Sequence, residues 1–293
     1  MTNFNTKNST SLPWVESPFF YQILETLDLS DNQKKMAIKF HEDGYLILDL
    51  ELSDDLIKSI VDDMEIALTR ENKKLQAEFY TYSNSPRLFE EWRHSSHIKD
   101  LCLNEKITST LEFLYDRETF PFSTINFFIG SNQPLHSDAV HFHSIPSLWM
   151  SGVWVALEDT NEENGTLSIV PGSHRWPIYD YETLNLPHPD EQENGEEKNY
   201  RIYEDFVRQL IKSKNSKITP VSLKKGECLI WAANLLHGGT PITNEKSTRL
   251  TQAIHYFYKG CNRYYHPMFS RVTKGIFADK WCNENNNIKT YEQ

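Results

Sequence analysis

A chain of 293 residues with 30 basic and 41 acidic side chains, net charge −11, has the wrong sign to wrap nucleic acid or to lie on an anionic membrane. Its 39% hydrophobic and 13% aromatic residues suffice for a full core, and the aromatic share suits a β-rich fold or a ligand cavity. Cys102, Cys228, Cys261 and Cys282 form no C-x-x-C pair, which excludes a disulfide scaffold or a structural zinc site as the expectation. The polar N-terminus lacks the apolar stretch of a signal peptide, and the longest apolar run, Ile145 to Leu157, is too short for the about 20 residues of a membrane span, so a cytoplasmic protein is expected.

Residues 1 to about 30, interrupted by Pro13 and Pro18, read as loosely ordered. "DNQKKMAIKFHEDG" predicts a helix from Asp31 that stops at Gly44, and "YLILDL" predicts a strand from Tyr45 to Leu50. Ser53 is a good N-cap, with Asp54 and Asp55 where the helix dipole favours negative charge. Leu56, Ile57, Ile60, Val61, Met64 and Leu68 then recur at helical spacing, which predicts a helix to about Leu75. A further helix is expected over "EKITSTLEFLYD", from Glu105.

After Phe120 the pattern changes to short β-branched and aromatic runs bounded by turn residues. Strands are expected over Ser123 to Ser131, Leu148 to Asp159, Thr166 to Ser173, Lys217 to Leu223, Gly226 to Leu236 and Arg249 to Tyr258. Strands in series without intervening helices suggest an all-β barrel or sandwich, decorated by the N-terminal helices. The exception is a polar insertion, Asp180 to Lys217. Its "LPHPDEQENGEEKN" reads as a solvated loop, with roughly Asp180 to Asn199 a mobile lid, and its "YEDFVRQLIKSK" as a short helix. The whole is expected to be one domain over 1–293, with a mostly helical support (1–120) and a β core (121–270) carrying the insertion at 180–217.

"QPLHSDAVHFHSI", Gln133 to Ile145, holds three histidines and one aspartate. Side chains alternate along an extended segment, so His136 and Asp138 project to the same side. His237, at the end of an apolar strand and followed by two glycines, is the best third ligand. Two histidines and a carboxylate on one face of a metal form the facial triad of non-haem iron(II) oxygenases. The rival pair His141-x-His143 lacks the glutamate a cupin wants a few residues on, and no H-E-x-x-H occurs; on H-x-D alone, a surface turn is the competing reading. Arg249 and Thr251 add to the case. An arginine directed into a barrel is costly without an anion, and its fork suits a carboxylate; an internal Arg–Asp salt bridge is the alternative.

With Q-x-x-H-x-D at Gln133, His136 and Asp138, "VWVALEDTNEENGTLSIVPGSHRW", "LLHGG" and Arg249, the chain resembles the phytanoyl-CoA dioxygenase family of iron(II)- and 2-oxoglutarate-dependent oxygenases, from about Phe40 to Phe269. The resemblance implies a double-stranded β-helix, or jelly roll, with His136, Asp138 and His237 as iron(II) ligands. It implies that Arg249 holds the distal carboxylate of 2-oxoglutarate, where the Thr251 hydroxyl is expected to join, that Gln133 and Trp154 line the cosubstrate pocket, and that O2 is consumed as 2-oxoglutarate is decarboxylated to succinate. In related halogenases a small residue replaces the carboxylate so that chloride binds; Asp138 therefore implies hydroxylation or another oxidation. His141, His143 and His174 are candidate substrate-side groups, with the "PGSH" of His174 foremost a structural turn, while Trp149, Trp231, Tyr256 to Tyr258 and His255 are expected in the core or satisfied within a strand. The partner is a small-molecule substrate, and the acidity of the chain favours a polar or cationic one over a CoA thioester. A non-catalytic binding member and a differently metallated isomerase or hydrolase are the other classes, although Arg249 has no purpose in the latter.

Overall fold

The computed structural model describes residues 11–70 and 86–279. The first of them are not loose, contrary to expectation: Trp14 and Val15 are buried in a 3-10 turn (Trp14–Glu16), and Phe20, Ile23 and Leu24 bury one face of α1 (Phe20–Thr26). The prolines delimit these elements without preventing them, because apolar residues at helical spacing supply the burial. α2 (Asp31–Asp43) opens on a reciprocal capping box between Ser30 and Gln33 and ends at Gly44, whose φ of 81° is left-handed. β1 (Tyr45–Asp49) and α3 (Asp54–Arg70) follow, and the expected extension of α3 to Leu75 lies outside the described residues. β2 (Arg87–Phe89), α4 (Ser96–Cys102) and α5 (Glu105–Tyr115) complete the N-terminal region.

The remainder is β3 (Thr119–Phe127), β4 (His143–Ile145), β5 (Met150–Ala156), β6 (Leu167–Ile169), α6 (Gly195–Ser213), β7 (Thr219–Val221), β8 (Glu227–Ala232), β9 (His237–Gly239), β10 (Thr251–Tyr258) and β11 (Arg263–Tyr265). Six strands form one antiparallel sheet in the order β1-β8-β5-β10-β3-β2, and three form a smaller one, β7-β6-β9. Both edge strands of the large sheet therefore come from the N-terminal region. β5 is buried at all seven positions because both faces of its sheet are covered. Val153, Val155, Ile254, Tyr256 and Tyr258 pack with Phe40, Leu111 and Tyr115 on the helical side. Trp154, Leu229, Trp231 and Ala253 point the other way, toward Leu167, Ile169 and Val221 of the small sheet. The two sheets make the double-stranded β-helix.

Some boundaries differ from the sequence pattern. β3 begins at Thr119, four residues early, because it pairs along the whole of β10 from Tyr258 back to Thr251. The strand expected over Thr166 to Ser173 stops at Ile169, and a turn through left-handed Gly172 follows. The acidic insertion is packed where a solvated loop was expected: Tyr181, Pro189 and Asn199 are buried, and Asn199 donates to Pro187 O and accepts from Gln192. α6 starts at Gly195, eight residues before the expected Tyr203, with Tyr200, Tyr203, Val207 and Ile211 on one buried face and acids on the other. No helix of the described residues is long and apolar enough to cross a membrane.

His174 explains "PGSH". Its ring covers the α carbon of Gly44, and its Nε2 hydrogen-bonds His41 O at 3.0 Å, so it closes the end of α2. A Cβ on Gly44 would overlap that ring and force a left-handed conformation that costs an L residue about 1–2 kcal/mol. Gly44→Ala should destabilise the protein by at least that amount in urea unfolding; a midpoint equal to wild type would contradict this packing.

Candidate metal centre

His136 and His237 face each other across a short antiparallel bridge. The His136 N–H donates to His237 O at 2.8 Å, and the His237 N–H returns to His136 O at 2.9 Å. Gly238 permits this approach, since a Cβ there would lie 2.7 Å from Gln133 O. Asp138 follows one residue beyond Ser137, at the start of a 3-10 turn. The donor atoms of His136, Asp138 and His237 all lie within 4.8 Å of one another. Asp138 Oδ1 is 3.9 Å from His136 Nε2 and 3.7 Å from His237 Nε2. Two metal–ligand bonds of about 2.0–2.2 Å bridge such gaps.

The protonation states suit a cation. His136 Nδ1 lies 3.0 Å from Pro134 O and His237 Nδ1 lies 2.9 Å from Leu235 O. A carbonyl only accepts, so each Nδ1 carries the proton and each Nε2 keeps its lone pair for a metal. Burial, helped by His237, holds His136 down at about 3, so it is neutral near pH 7. Burial alone would raise the Asp138 carboxyl, but His237, His255, His136 and the Trp231 N–H together hold it below its ordinary value. Trp231 Nε1–H donates to Asp138 Oδ2 at 2.8 Å, leaving Oδ1 toward the histidines. One anionic oxygen and two imidazole Nε2 atoms fit a divalent ion.

All three residues line a cavity of about 790 Å³ between the sheets. Arg249 lines it too and is 1% exposed. Its Nη1–H donates to Gly165 O at 3.0 Å, and its guanidinium carbon sits 5.2 Å from the centroids of both Phe127 and Trp154. Nε has no hydrogen-bond partner, and Glu158 acts on the guanidinium only at a distance. Burial, with Arg87 nearby, lowers the guanidinium to about 9, so it stays charged at neutral pH. A buried cation held by backbone carbonyls alone, with Nε unmatched, fits a carboxylate ligand better than an internal salt bridge.

Gln133, Trp154 and His141 also belong to the wall. Thr251 is fully buried at the start of β10, its hydroxyl without a partner, and is not part of the wall. Neither is His143, whose ring packs on Tyr265, nor His174. Two residues expected elsewhere belong to the site. Trp231 holds Asp138, and His255 has Nε2 3.8 Å from Asp138 Oδ2 with Nδ1 unpartnered, so it is not a satisfied strand residue. Both sit in apolar strands, where a core reading competes; their signal was alternation, which puts Trp231 with Leu229 and His255 with Ala253 on the inner face. Arg87 was missed altogether: it belongs to no motif, yet its Nη2–H donates to Gln133 Oε1 at 3.2 Å and it stacks 5.2 Å over Phe127.

Known proteins resemble this chain in sequence and in fold. The chain is 26% identical over 179 residues to a phytanoyl-CoA dioxygenase domain-containing protein 1 homolog of Dictyostelium discoideum, covering 57% of this chain and 54% of that one. It is 27% identical over 136 residues to the peroxisomal phytanoyl-CoA dioxygenase of Bos taurus, covering 46% and 36%. The chain thus spans between about a third and about half of the length of these curated relatives. Among solved structures, the epimerase SnoN in complex with Fe3+, alpha ketoglutarate and nogalamycin RO superposes with a TM-score of 0.61 at 16% identity, over 83% of this chain and 88% of that one. EctD from S. alaskensis with bound Fe gives 0.58 at 21% identity, over 82% and 80%. These likenesses establish the shared fold. The family model for phytanoyl-CoA dioxygenase (PhyH) matches residues 40–250, and the chain belongs to that family.

Proposed function

We propose that this protein is an iron(II)- and 2-oxoglutarate-dependent dioxygenase that hydroxylates a C–H bond of a small metabolite while 2-oxoglutarate is decarboxylated to succinate. The observation that carries this reading is the placement of a buried His136–Asp138–His237 cluster and an unmatched Arg249 on one cavity. A hydrolase or isomerase needs the first and has no use for the second. SnoN in complex with Fe3+ and alpha ketoglutarate, and EctD with 2-oxoglutarate and 5-hydroxyectoine, support the same cofactors here.

His136 and His237, with Nδ1 tied to carbonyls, and Asp138, held by Trp231, would hold the iron. Iron(II) bound there supplies the activation of O2 that makes a C–H bond reactive. Arg249 would take the distal carboxylate of 2-oxoglutarate, with its free N–H completing a fork, while Trp154 and Phe127 keep water from it. Gln133, bonded to Arg87 and Tyr200, borders the same space.

The remaining wall concerns the substrate. Phe122, Phe142 and Phe269 line it together with His141, His255 and His266. Burial lowers all three imidazoles, His266 to about 4, so this part of the wall carries no charge at neutral pH. These six side chains favour an uncharged, apolar or aromatic group of the substrate beside them, while Glu90, Arg93 and Glu196 on the same wall suit a polar or charged part of it. A volume of about 790 Å³ falls within the roughly 300–1,000 Å³ of pockets that enclose a drug-sized ligand.

One iron(II) per chain is expected. His136→Ala, Asp138→Ala and His237→Ala should each abolish succinate release with the fold intact by circular dichroism, whereas His143→Ala, outside the wall, should leave metal binding unchanged. Metal binding that survives His237→Ala would refute the ligand assignment. A second test uses Arg249. Charge-assisted hydrogen bonds are each worth about 1.5–3 kcal/mol. Arg249→Lys, which keeps the charge and loses the fork, should weaken 2-oxoglutarate at least tenfold, about 1.4 kcal/mol. Calorimetric titration into anaerobic manganese-loaded protein reads this directly, and equal affinities would make Arg249 a structural residue.

A further inference from the structure

The insertion between β6 and β7 reaches the loop that carries two of the three ligands. On α6, Tyr200 and Tyr203 are buried and three residues apart, hence on one face. Tyr200 Oη accepts a hydrogen bond from Gln133 Nε2 at 2.9 Å, and Tyr203 Oη accepts the backbone N–H of Ser137 at 3.0 Å. Ser137 is the residue between His136 and Asp138. The backbone bridge to β9 ends at His136, so the Ser137 N–H has no strand partner, and the tyrosine hydroxyl takes that role. The Ser137 hydroxyl is held from the other side, donating to Asn234 Oδ1 at 2.9 Å and accepting the Ala139 N–H at 3.2 Å.

This arrangement decides where Asp138 goes. His136 is pinned by its two hydrogen bonds to His237 and Ala139 by its N–H to Ala233 O at 3.0 Å, and between these two anchors the peptide planes on either side of Ser137 set the path of the chain to Asp138. Whatever orients those planes sets the distance from the carboxylate to the imidazoles. Trp231 then receives the carboxylate from the large sheet.

We infer that Tyr203 is a positioning residue for the metal centre: its hydroxyl fixes the Ser137 peptide and with it the separation of Asp138 from His136. The inference rests on the proposed metal site. α6 is thereby the outer clamp of the ligand loop, and Tyr200, holding the Gln133 side chain, is its second point of attachment. The ring of Tyr203 lies 6.0 Å from that of Tyr181 and belongs to a buried cluster with Val207, Ile211 and Met268. Tyr203→Phe keeps that packing and removes only the hydroxyl; Val207→Ala, on the same face of α6, does the reverse.

The test is titration of manganese(II) alone into metal-free wild type, Tyr203→Phe and Val207→Ala, with exchange of the Ser137 amide followed by NMR in the metal-free proteins. Tyr203→Phe should bind manganese about fivefold more weakly, about 1 kcal/mol, and its Ser137 amide should exchange faster. Val207→Ala should melt at a lower temperature with metal affinity and Ser137 exchange unchanged. Wild-type exchange at Ser137 in Tyr203→Phe overturns the inference. So does unchanged metal affinity in that variant, or an equal loss of affinity in Val207→Ala. Should the wild type take up no manganese, the metal site itself is misread, and the exchange measurement still decides whether Tyr203 holds the loop.

Discussion

The paired backbone hydrogen bonds between His136 and His237 are the constraint on which the site depends. They join a loop after β3 to the end strand of the small sheet and bring two imidazole rings to 4.6 Å between centroids. Neither histidine needs a long side-chain reach, because the backbones are already in contact across Gly238. The large sheet then supplies what the small one cannot, with Trp231 reaching from β8 to the carboxylate and Ala253 and His255 of β10 closing the inner wall. Both sheets must be in place for either half of the centre to have its geometry.

The cavity also holds two buried charges of opposite sign that do not pair with each other. Asp138 is 3% exposed and Arg249 is 1% exposed. A direct pair would satisfy both and leave nothing to bind a ligand. Instead each is supported by groups of its own: a tryptophan N–H and three imidazoles for the carboxylate, two backbone carbonyls and two aromatic faces for the guanidinium. Such support is incomplete by construction. Asp138 Oδ1 and Arg249 Nε stay available, and the fold keeps them so by rigid packing of their neighbours.

Much of this was legible in the sequence where polar residues interrupt apolar strands. His136 and Asp138 stand out by their H-x-D spacing, His237 at the end of an apolar run before two glycines, and Arg249 as an arginine directed into a barrel, and the four converge on one cavity. The β-branched and aromatic runs of β5, β8 and β10 announced a β core, and Gly44 marked the end of α2. What stayed hidden had a second explanation at hand. Trp231 reads as core in an apolar strand, and the role of its N–H depends on Asp138, 93 positions away. Thr251 looked aligned with Arg249, but Arg249 lies before the strand begins, and the hydroxyl ends up outside the cavity wall. In the insertion, acidic composition masked tyrosines whose burial depends on partners elsewhere in the chain. The N-terminal stretch hides its order likewise, since Trp14 and Phe20 gain their value only against Phe113 and His41.

The edges of the large sheet carry a consequence for how the molecule forms. β1 is paired with β8, joining Tyr45 to Trp231 and Asp49 to Glu227. During synthesis β1 therefore leaves the ribosome long before its partner exists, and the last strand to complete the sheet, β10, lies between β5 and β3. Contacts of such sequence separation make folding slow and leave strand edges exposed meanwhile. The helices α2 to α5, which pack on the far face of the same sheet, form from local contacts and are ready first. In the finished molecule these helices and the sheet share one buried apolar cluster, so the helical front covers the face of the sheet that the late strand β10 completes.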